Sequence, residues 1–299
     1  MLGGRRRRLS IDARTRIDVD TLAGPVWQIC SMTSLLPDDD EHLTTGWEPD
    51  VDPADSVVRA SVMVHASWAI AQARSLGRPW RDGPEWAAGH NGDRGAMTNW
   101  VVLKQPLLDL EVVMREVDEL FPPGVPFLLL SAWPTPDLSR CRLGLVGHPP
   151  LMLRPHSTAT HQRSTDLDVR WVSNGDELAE AERVLIDGYP MPELQPFAPG
   201  RLYAPALLAT DTRIAVAYLD GAPIATAAAH SAHGITLVEY VAVMPEARGK
   251  GAGAAVTAAV TTAFPDQSAV LLASDDGQPV YESLNYLRLE RWTIWLRDN

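Results

Sequence analysis

The chain has 299 residues, of which 45% are hydrophobic, and it carries a formal net charge of −12. This length favours two compact units, and the acidic balance disfavours general binding to nucleic-acid phosphates. No apolar run reaches the roughly 18 residues of a membrane span, and Cys30 and Cys141 are too few for a disulfide framework, so we expect a cytoplasmic protein that binds neither nucleic acid nor membranes.

Residues 1–54 are predicted to be an N-terminal tail or leader. They begin with four arginines at residues 5–8, but residues 9–20 contain charged side chains where a signal peptide would have an apolar stretch. We therefore interpret the arginines as a solvated tail, with binding to an acidic partner as the alternative.

Residues 55–153 predict a first α/β domain. Apolar residues at helical spacing predict a helix from Ser56 to Ser75, capped by Asp55 or Ser56, and a second helix over residues 108–121. Gly, Asp and Asn predict a loop over residues 81–98. Four apolar runs predict strands at Trp100–Leu103, 126–132, 143–146 and 151–153.

Residues 154–166 lack large apolar side chains and predict a linker, so residues 167–299 form the second domain. Three consecutive antiparallel strands are predicted at 213–219, 222–230 and 235–243. The first two are joined by Asp220-Gly221, a pair that two-residue hairpin turns favour. The other predicted elements are a strand at 167–172, a helix at 176–186, a helix ending near Phe264, a strand at 269–273, a short helix at 279–284 and a last strand at 287–296.

The most informative stretch is the loop Arg248-Gly249-Lys250-Gly251-Ala252-Gly253, which lies between a predicted strand and a predicted helix. Alternating glycines allow backbone N–H groups to point at one anion, helped by the positive end of the helix and by the charges of Arg248 and Lys250. The loop therefore predicts a pyrophosphate site.

This loop has other possible interpretations. A P-loop is excluded because Gly251, and not Ser or Thr, follows Lys250. A dinucleotide pattern matches at Gly249, Gly251 and Ala254, and Asp275 follows the next strand, but that fold requires parallel βαβ units. A glycine-rich turn without a ligand is a further alternative.

The string from Val241 to Gly253 resembles the coenzyme A signature of the GNAT N-acetyltransferase superfamily, in which Gln/Arg-x-x-Gly-x-Gly/Ala begins a helix. The signature falls on Arg248, Gly251 and Gly253. Residues 280–286 (VYESLNY) resemble the family's Leu-Tyr-x-x-Leu-Gly-Phe passage. Asn285-Tyr286 replaces Gly-Phe, and Asn tolerates the left-handed backbone of that turn.

This resemblance implies a GNAT-like acyl-CoA N-acyltransferase fold, an α/β (α+β) architecture with a mixed sheet. The first half loosely resembles the degenerate copy found in tandem acetyltransferases. The implied reaction transfers an acetyl or other acyl group from acetyl-CoA to a primary amine by direct attack in a ternary complex, without a metal. The residues implied to bind coenzyme A are Val241, Ala242, Val243, Arg248, Gly249, Lys250, Gly251, Ala252, Gly253, Ala254 and Ser274.

Two residues are candidates for the proton transfers. Strand alternation places Glu239 on one face with Ile235, Leu237, Val241 and Val243. Partial burial would raise its pKa toward that of a general base, whereas a structural pair with a histidine such as His230 is the alternative. The resemblance implies that Tyr281 is the general acid that protonates the leaving thiolate, while a core tyrosine is the simpler interpretation.

The irregular segment 188–200 is a candidate wall of the acceptor pocket, with Tyr189, Met191, Gln195 and Phe197, or else a plain connector. The first half is predicted to shape the acceptor site; a binding module and a homodimer surface are alternatives. The partner is a small-molecule or peptide amine. A protein that senses coenzyme A or its thioesters without catalysis is the alternative function.

Overall fold

The computed structural model describes residues 56–92, 95–106, 109–156, 167–189 and 191–298, which belong to one compact unit spanning residues 44–299. The predicted tail and residues 157–166 of the predicted linker lie outside the described residues. The helices are α1 (Val57–Ser75), α2 (Leu110–Leu120), α3 (Gly175–Gly188), α4 (Ala252–Thr261) and α5 (Gln278–Ser283). The strands are β1 (Trp80–Asp82), β2 (Trp86–Gly89), β3 (Trp100–Leu103), β4 (Phe127–Ser131), β5 (Gly144–Gly147), β6 (Pro150–Arg154), β7 (Asp168–Trp171), β8 (Thr212–Leu219), β9 (Ala222–Ala232), β10 (Ile235–Val243), β11 (Ser268–Leu272), β12 (Leu287–Arg291) and β13 (Thr293–Arg297).

Local signals in the sequence account for many of these boundaries. The Ser56 hydroxyl caps α1 by accepting a hydrogen bond from the Arg59 N–H at 3.4 Å. Asp220 and Gly221 form the predicted turn between β8 and β9, with φ angles of 52° and 82°. The loop predicted over residues 81–98 is wrong in part, because β2 and two of the three residues of β1 lie within it. Pairing of β2 with β3 overrides the local Gly and Asp content there.

The strands form two mixed sheets with related topologies. The first sheet has the order β1-β2-β3-β4-β13-β5, and the second has the order β12-β6-β11-β10-β9-β8-β7. Each contains one parallel pair joined through a helix, β3 and β4 through α2 and β10 and β11 through α4. The same strand–helix–strand unit therefore occurs once in each half of the chain.

Each sheet also contains one strand from the other half. β6 lies between β11 and β12 of the second sheet, and β13 lies between β4 and β5 of the first. The single strand predicted over residues 287–296 is therefore wrong: it is two strands, separated at the fully buried Trp292. A division of the chain at residues 154–166 does not separate the two sheets.

The largest apolar core contains side chains from both sheets and from α1 and α3. Helix α1 belongs to the first half, yet it contacts β9 and β10 of the second sheet as well as β1, β2 and β3 of the first. Gly89 on β2 permits this close approach, since an added Cβ would lie 2.0 Å from the Ala69 carbonyl oxygen. Separate cores cover the outer faces, with α4 and α5 on the second sheet and α2 on the first.

Candidate active site

The glycine loop connects β10 to α4 through a short 3-10 turn at Pro245–Ala247. Gly249 and Gly251 have φ angles of 74° and 81°, which glycine adopts without the steric cost of a Cβ. Gly251 is the N-cap of α4 and, having no side chain, provides no capping group. Both glycines thus adopt conformations that the absence of a Cβ permits, and no described side chain caps the start of this helix.

The backbone N–H groups of residues 249–254 donate no hydrogen bond of ordinary geometry within the described residues; the first N–H that does is that of Ala255, to the Gly251 carbonyl at 3.0 Å. The first N–H groups of a helix need an external partner, and they carry the positive end of its dipole. A Cβ added to Gly249 or to Gly251 would meet no other described atom within 4 Å. The loop can therefore accept an anionic group from solvent.

Arg248 has a structural contact that the sequence does not reveal. Its guanidinium donates a hydrogen bond to the Gly188 carbonyl at 3.0 Å, at the C-terminal end of α3. Gly188 in turn lies against β10, where an added Cβ would be 3.2 Å from the Val243 backbone nitrogen. This contact fixes the start of the loop relative to β10, while Lys250 is exposed.

A β-bulge interrupts β10 beside the loop. The register with β9 shifts between Glu239 and Ala242, and Tyr240 has a φ of 53°, which is unusual for a bulky residue. The prediction that Glu239 shares a face with Val241 and Val243 is therefore wrong. The bulge places Glu239 and Tyr240 toward the core between the sheets, whereas Val241 and Val243 pack against the core under α4.

Near the bulge, the parallel strands β10 and β11 move apart. β10 and β11 pair only from Ile235 to Leu237, so the rest of this edge of β10 has no neighbouring strand among the described residues. The Met244 N–H donates to the Ile224 carbonyl on β9 at 2.9 Å. By alternation, the backbone groups of Ala242 also face β9, and those of Val241 and Val243 face the gap. An extended chain could bind there as an added strand.

Glu239 lies on β10 at the deep end of this gap. Its side chain is 14% exposed, and Oε1 lies 3.8 Å from Nε2 of the fully buried His65. Burial raises the pKa of Glu239 from 4.5 to about 8, and a hydrogen bond from the Tyr240 backbone N–H offsets part of that increase. His230 is not its partner: that ring lies between the Ser67 and Thr212 hydroxyls, each at 2.9 Å.

Tyr281 and Tyr189 lie near this carboxyl group. Burial raises the pKa of Tyr281 well above its usual range, and the charges of Tyr189 and Glu239 raise it further. Burial and the Glu239 charge also raise the pKa of Tyr189, whose side chain is 37% exposed. The carboxyl group on β10 thus interacts electrostatically with two phenols of raised pKa, Tyr281 on α5 and Tyr189 at the end of α3.

The other candidate residues lie in different surroundings. Met191 is buried in the core, Gln195 donates a hydrogen bond to Asp187 on α3 at 2.9 Å, and Phe197 stacks on the Arg183 guanidinium of the same helix. The Ser274 hydroxyl accepts a hydrogen bond from the Gly277 N–H at 3.1 Å, at the start of α5. Of the four predicted pocket residues, Tyr189 is the one electrostatically coupled to Glu239 and Tyr281.

An aromatic cluster surrounds Tyr240, and it was not predicted from the sequence. Rings of Trp68, Trp100 and Tyr203 lie 5.7–6.4 Å from its ring. Its hydroxyl donates to Gln72 Oε1 at 3.3 Å. Three buried polar atoms in this region, His65 Nε2, Trp68 Nε1 and the Tyr203 hydroxyl, have no hydrogen-bond partner among the described residues. The one feature of the sequence that pointed to this cluster is His65, a polar residue on the apolar stripe of α1.

No group of three or more His, Cys, Asp or Glu side chains among the described residues could hold a metal ion. No helix in the same residues is long and apolar enough to cross a membrane.

Residues 178–286 match the sequence profile of the acetyltransferase (GNAT) family. No protein of curated function matches this chain by sequence. The matched residues include the bulged strand β10, the glycine loop and Tyr281.

Solved structures show the same fold. A GCN5-related N-acetyltransferase from Kribbella flavida is 23% identical with a TM-score of 0.51, covering 77% of this chain and 94% of its own. A protein from Novosphingobium aromaticivorans described as belonging to the GNAT family is 14% identical with a TM-score of 0.54, covering 82% and 97%. A conserved protein of unknown function from Staphylococcus epidermidis is 12% identical with a TM-score of 0.53, covering 73% and 93%. These similarities confirm the predicted fold.

The burial of Glu239 predicts how stability depends on pH. Because its pKa rises from 4.5 to about 8 on folding, its contribution is complete below pH 4.5 and is lost as the pH rises through 8. Glu239→Gln keeps a neutral group of similar size. We expect the variant to gain stability relative to the wild type by up to about 1.4 kcal/mol per pH unit between about pH 5 and pH 7.5.

Urea unfolding at several pH values measures this difference. Glu246→Gln is the matched control, because Glu246 is exposed on the turn before the loop, and its difference from the wild type should be small at every pH. A difference between Glu239→Gln and the wild type that does not change with pH would contradict the assignment.

Proposed function

We propose that the GNAT acetyltransferase domain, which residues 178–286 of this chain form, transfers an acetyl group from acetyl-CoA to a primary amine. The observation that carries this proposal is the set of unpartnered backbone N–H groups at residues 249–254, at the N-terminus of α4. Such a group of donors suits a diphosphate, because each N–H can donate to a phosphate oxygen and the helix dipole favours the negative charge.

The unpaired edge of β10 supports the same ligand. The pantetheine arm of coenzyme A carries two amide groups, which can bond to the backbone of Val241 and Val243 as an added strand would. The loop follows β10 directly, so a diphosphate at the loop places the arm along the gap and the thioester near Glu239 and Tyr281. Ala254 on α4 and Ser274, between β11 and α5, would be the remaining contacts with the cofactor.

The chemistry needs two proton transfers. The amine nitrogen attacks the thioester carbonyl carbon, and the Glu239 carboxylate takes a proton from that nitrogen. As the C–S bond breaks, the Tyr281 hydroxyl donates its proton to the sulfur, which leaves as the free thiol. A general base works best when its pKa lies near the working pH, and the pKa of Glu239, about 8, meets this condition. The raised pKa of Tyr281 keeps its hydroxyl protonated until the thiolate forms.

The acceptor amine would approach from the side of Tyr189, which is partly exposed and electrostatically coupled to both catalytic groups. Met191, Gln195 and Phe197 would support this wall from behind through their contacts with the core and α3. The first half of the chain would close the acceptor pocket on the side opposite Tyr189, since α1 packs against β10.

Release of free thiol from acetyl-CoA tests the function. The full-length protein is incubated with acetyl-CoA and a panel of small amines, amino acids and peptides, and the thiol is measured with a colorimetric reagent. Amine-dependent release with a matching acetylated product is expected. Binding of acetyl-CoA without any thiol release across the panel would instead indicate a sensor of coenzyme A.

Blocking the loop should abolish cofactor binding. Gly251→Trp places a large side chain where the N–H groups converge, and we expect the affinity for acetyl-CoA in calorimetry to fall at least about tenfold. Gly221→Trp is the matched control, because Gly221 has a φ of 82° and equally open surroundings but lies in the β8–β9 turn. Equal affinities in the two variants would contradict a coenzyme A site at this loop.

Removing the proposed acid should slow the reaction without weakening cofactor binding. Tyr281→Phe is expected to lower kcat by about 10- to 1,000-fold while the dissociation constant for acetyl-CoA is unchanged. Tyr286→Phe is the control: its ring lies 6.0 Å from that of Tyr281, but its hydroxyl is bound to Thr261. If Tyr281→Phe keeps wild-type turnover, Tyr281 is not the acid.

A further inference from the structure

His65 is held rigidly between the two halves of the molecule. It lies on α1, is fully buried, and its ring centroid is 4.7 Å from that of Trp292 and 6.2 Å from that of Trp100. Its Nδ1 lies 2.7 Å from the Ser61 carbonyl oxygen, one helical turn earlier. The orientation of the imidazole is therefore set by groups other than Glu239.

This orientation determines the role of the second ring nitrogen. A carbonyl oxygen can only accept a hydrogen bond, so Nδ1 carries the proton and Nε2 presents a lone pair. Burial favours the neutral imidazole and lowers the pKa of His65 to about 4. Nε2 has no hydrogen-bond partner among the described residues, and the nearest carboxyl oxygen, Glu239 Oε1, is 3.8 Å away.

We propose that His65 is a positioning residue for Glu239, whose Nε2 lone pair accepts a hydrogen bond from the protonated carboxyl group. The separation of 3.8 Å is longer than a hydrogen bond, but such contacts commonly shorten when the substrate binds. The inference rests on the proposed function, in which Glu239 takes the proton of the amine. The first half of the chain thereby contributes to proton transfer in the second.

The proton balance is simple. The amine nitrogen loses a proton to the Glu239 carboxylate, and the new O–H group donates its hydrogen bond to Nε2. After the product departs, Glu239 releases this proton through water, and the Tyr281 phenolate, which gave its own proton to the sulfur, takes one up from water, so both groups return to their starting states. His65 itself stays neutral throughout. Its effect is to stabilise the protonated form of Glu239 and so to raise the basicity of the carboxylate.

Among the described groups whose pKa is shifted, those that the Glu239 charge affects are phenols. They are Tyr189 after α3, Tyr203 in the segment before β8, Tyr240 on β10 and Tyr281 on α5, and burial is the main cause that raises the pKa of each. All four remain neutral over the range in which Glu239 titrates. No Lys or Arg within the described part of the chain forms an ion pair with Glu239. A change in its titration on mutation of His65 therefore reports on the imidazole.

The test is a direct titration of Glu239 in the full-length protein. Infrared difference spectra follow the C=O stretch of the protonated carboxyl group, and Glu239→Gln assigns the band. His65→Asn retains a donor for the Ser61 carbonyl but lacks Nε2, and should lower the titration midpoint by about one pH unit. His65→Gln, which can place an amide oxygen near the Nε2 position, should restore part of the shift.

Val64→Ala is the control for simple destabilisation, because Val64 is a buried neighbour on α1; it should lower the melting temperature and leave the midpoint unchanged. An unchanged midpoint in both His65 variants would overturn the proposal. An upward shift would also overturn it, since it would mean that His65 is a cation paired with the carboxylate.

Turnover separates this inference from the proposed function. With an amine that is accepted in the thiol-release assay, the acidic limb of the pH profile of kcat/KM should move in His65→Asn by the same amount as the titration midpoint of Glu239. A shifted midpoint with an unchanged acidic limb would overturn the positioning role. If the midpoint shifts but the protein acetylates no amine of the panel, the result would count against acetyl transfer and also against a role of His65 in it. If the enzyme is active but the midpoint is unchanged, the result would refute the role of His65 alone.

Discussion

The bulge at Tyr240 is the constraint on which the arrangement of the site depends. It changes the register of β10 with β9, turns Glu239 and Tyr240 toward the core between the sheets, and coincides with the end of pairing between β10 and β11. The gap that results has the unpaired backbone of β10 on one side and the unpartnered N–H groups of the glycine loop at its mouth. A straight β10 that was fully paired with β11 would have no such gap.

The two halves of the chain are interdependent. Each sheet includes a strand from the other half, and α1 contributes His65 to the surroundings of Glu239. The buried carboxyl group is costly unless it is neutral or paired, and its raised pKa is the consequence of that burial. The same packing that destabilises the ionised carboxylate gives it the basicity that proton removal from an amine requires.

The sequence predicts the elements whose signals are local. The Asp220-Gly221 turn, the glycine conformations of the loop and the cap at Ser56 follow from nearby residues, and Asn285 adopts the left-handed conformation expected of it, with a φ of 65°. The crossing of β6 and β13 into opposite sheets depends on partners far along the chain, so alternation of apolar residues cannot reveal it. The bulge reversed the faces predicted for Val241 and Val243, and His65 was recognisable only as a polar residue in an apolar stripe.

The most direct measurement of the central claim follows the backbone amides of residues 249–253 in an ¹⁵N-labelled sample as coenzyme A is added. If these N–H groups bind the diphosphate, the resonances of Gly249, Gly251 and Gly253 should shift together with saturation, and their exchange with solvent should slow. Saturable binding that leaves these amides unshifted and freely exchanging, while other residues respond, would contradict the account.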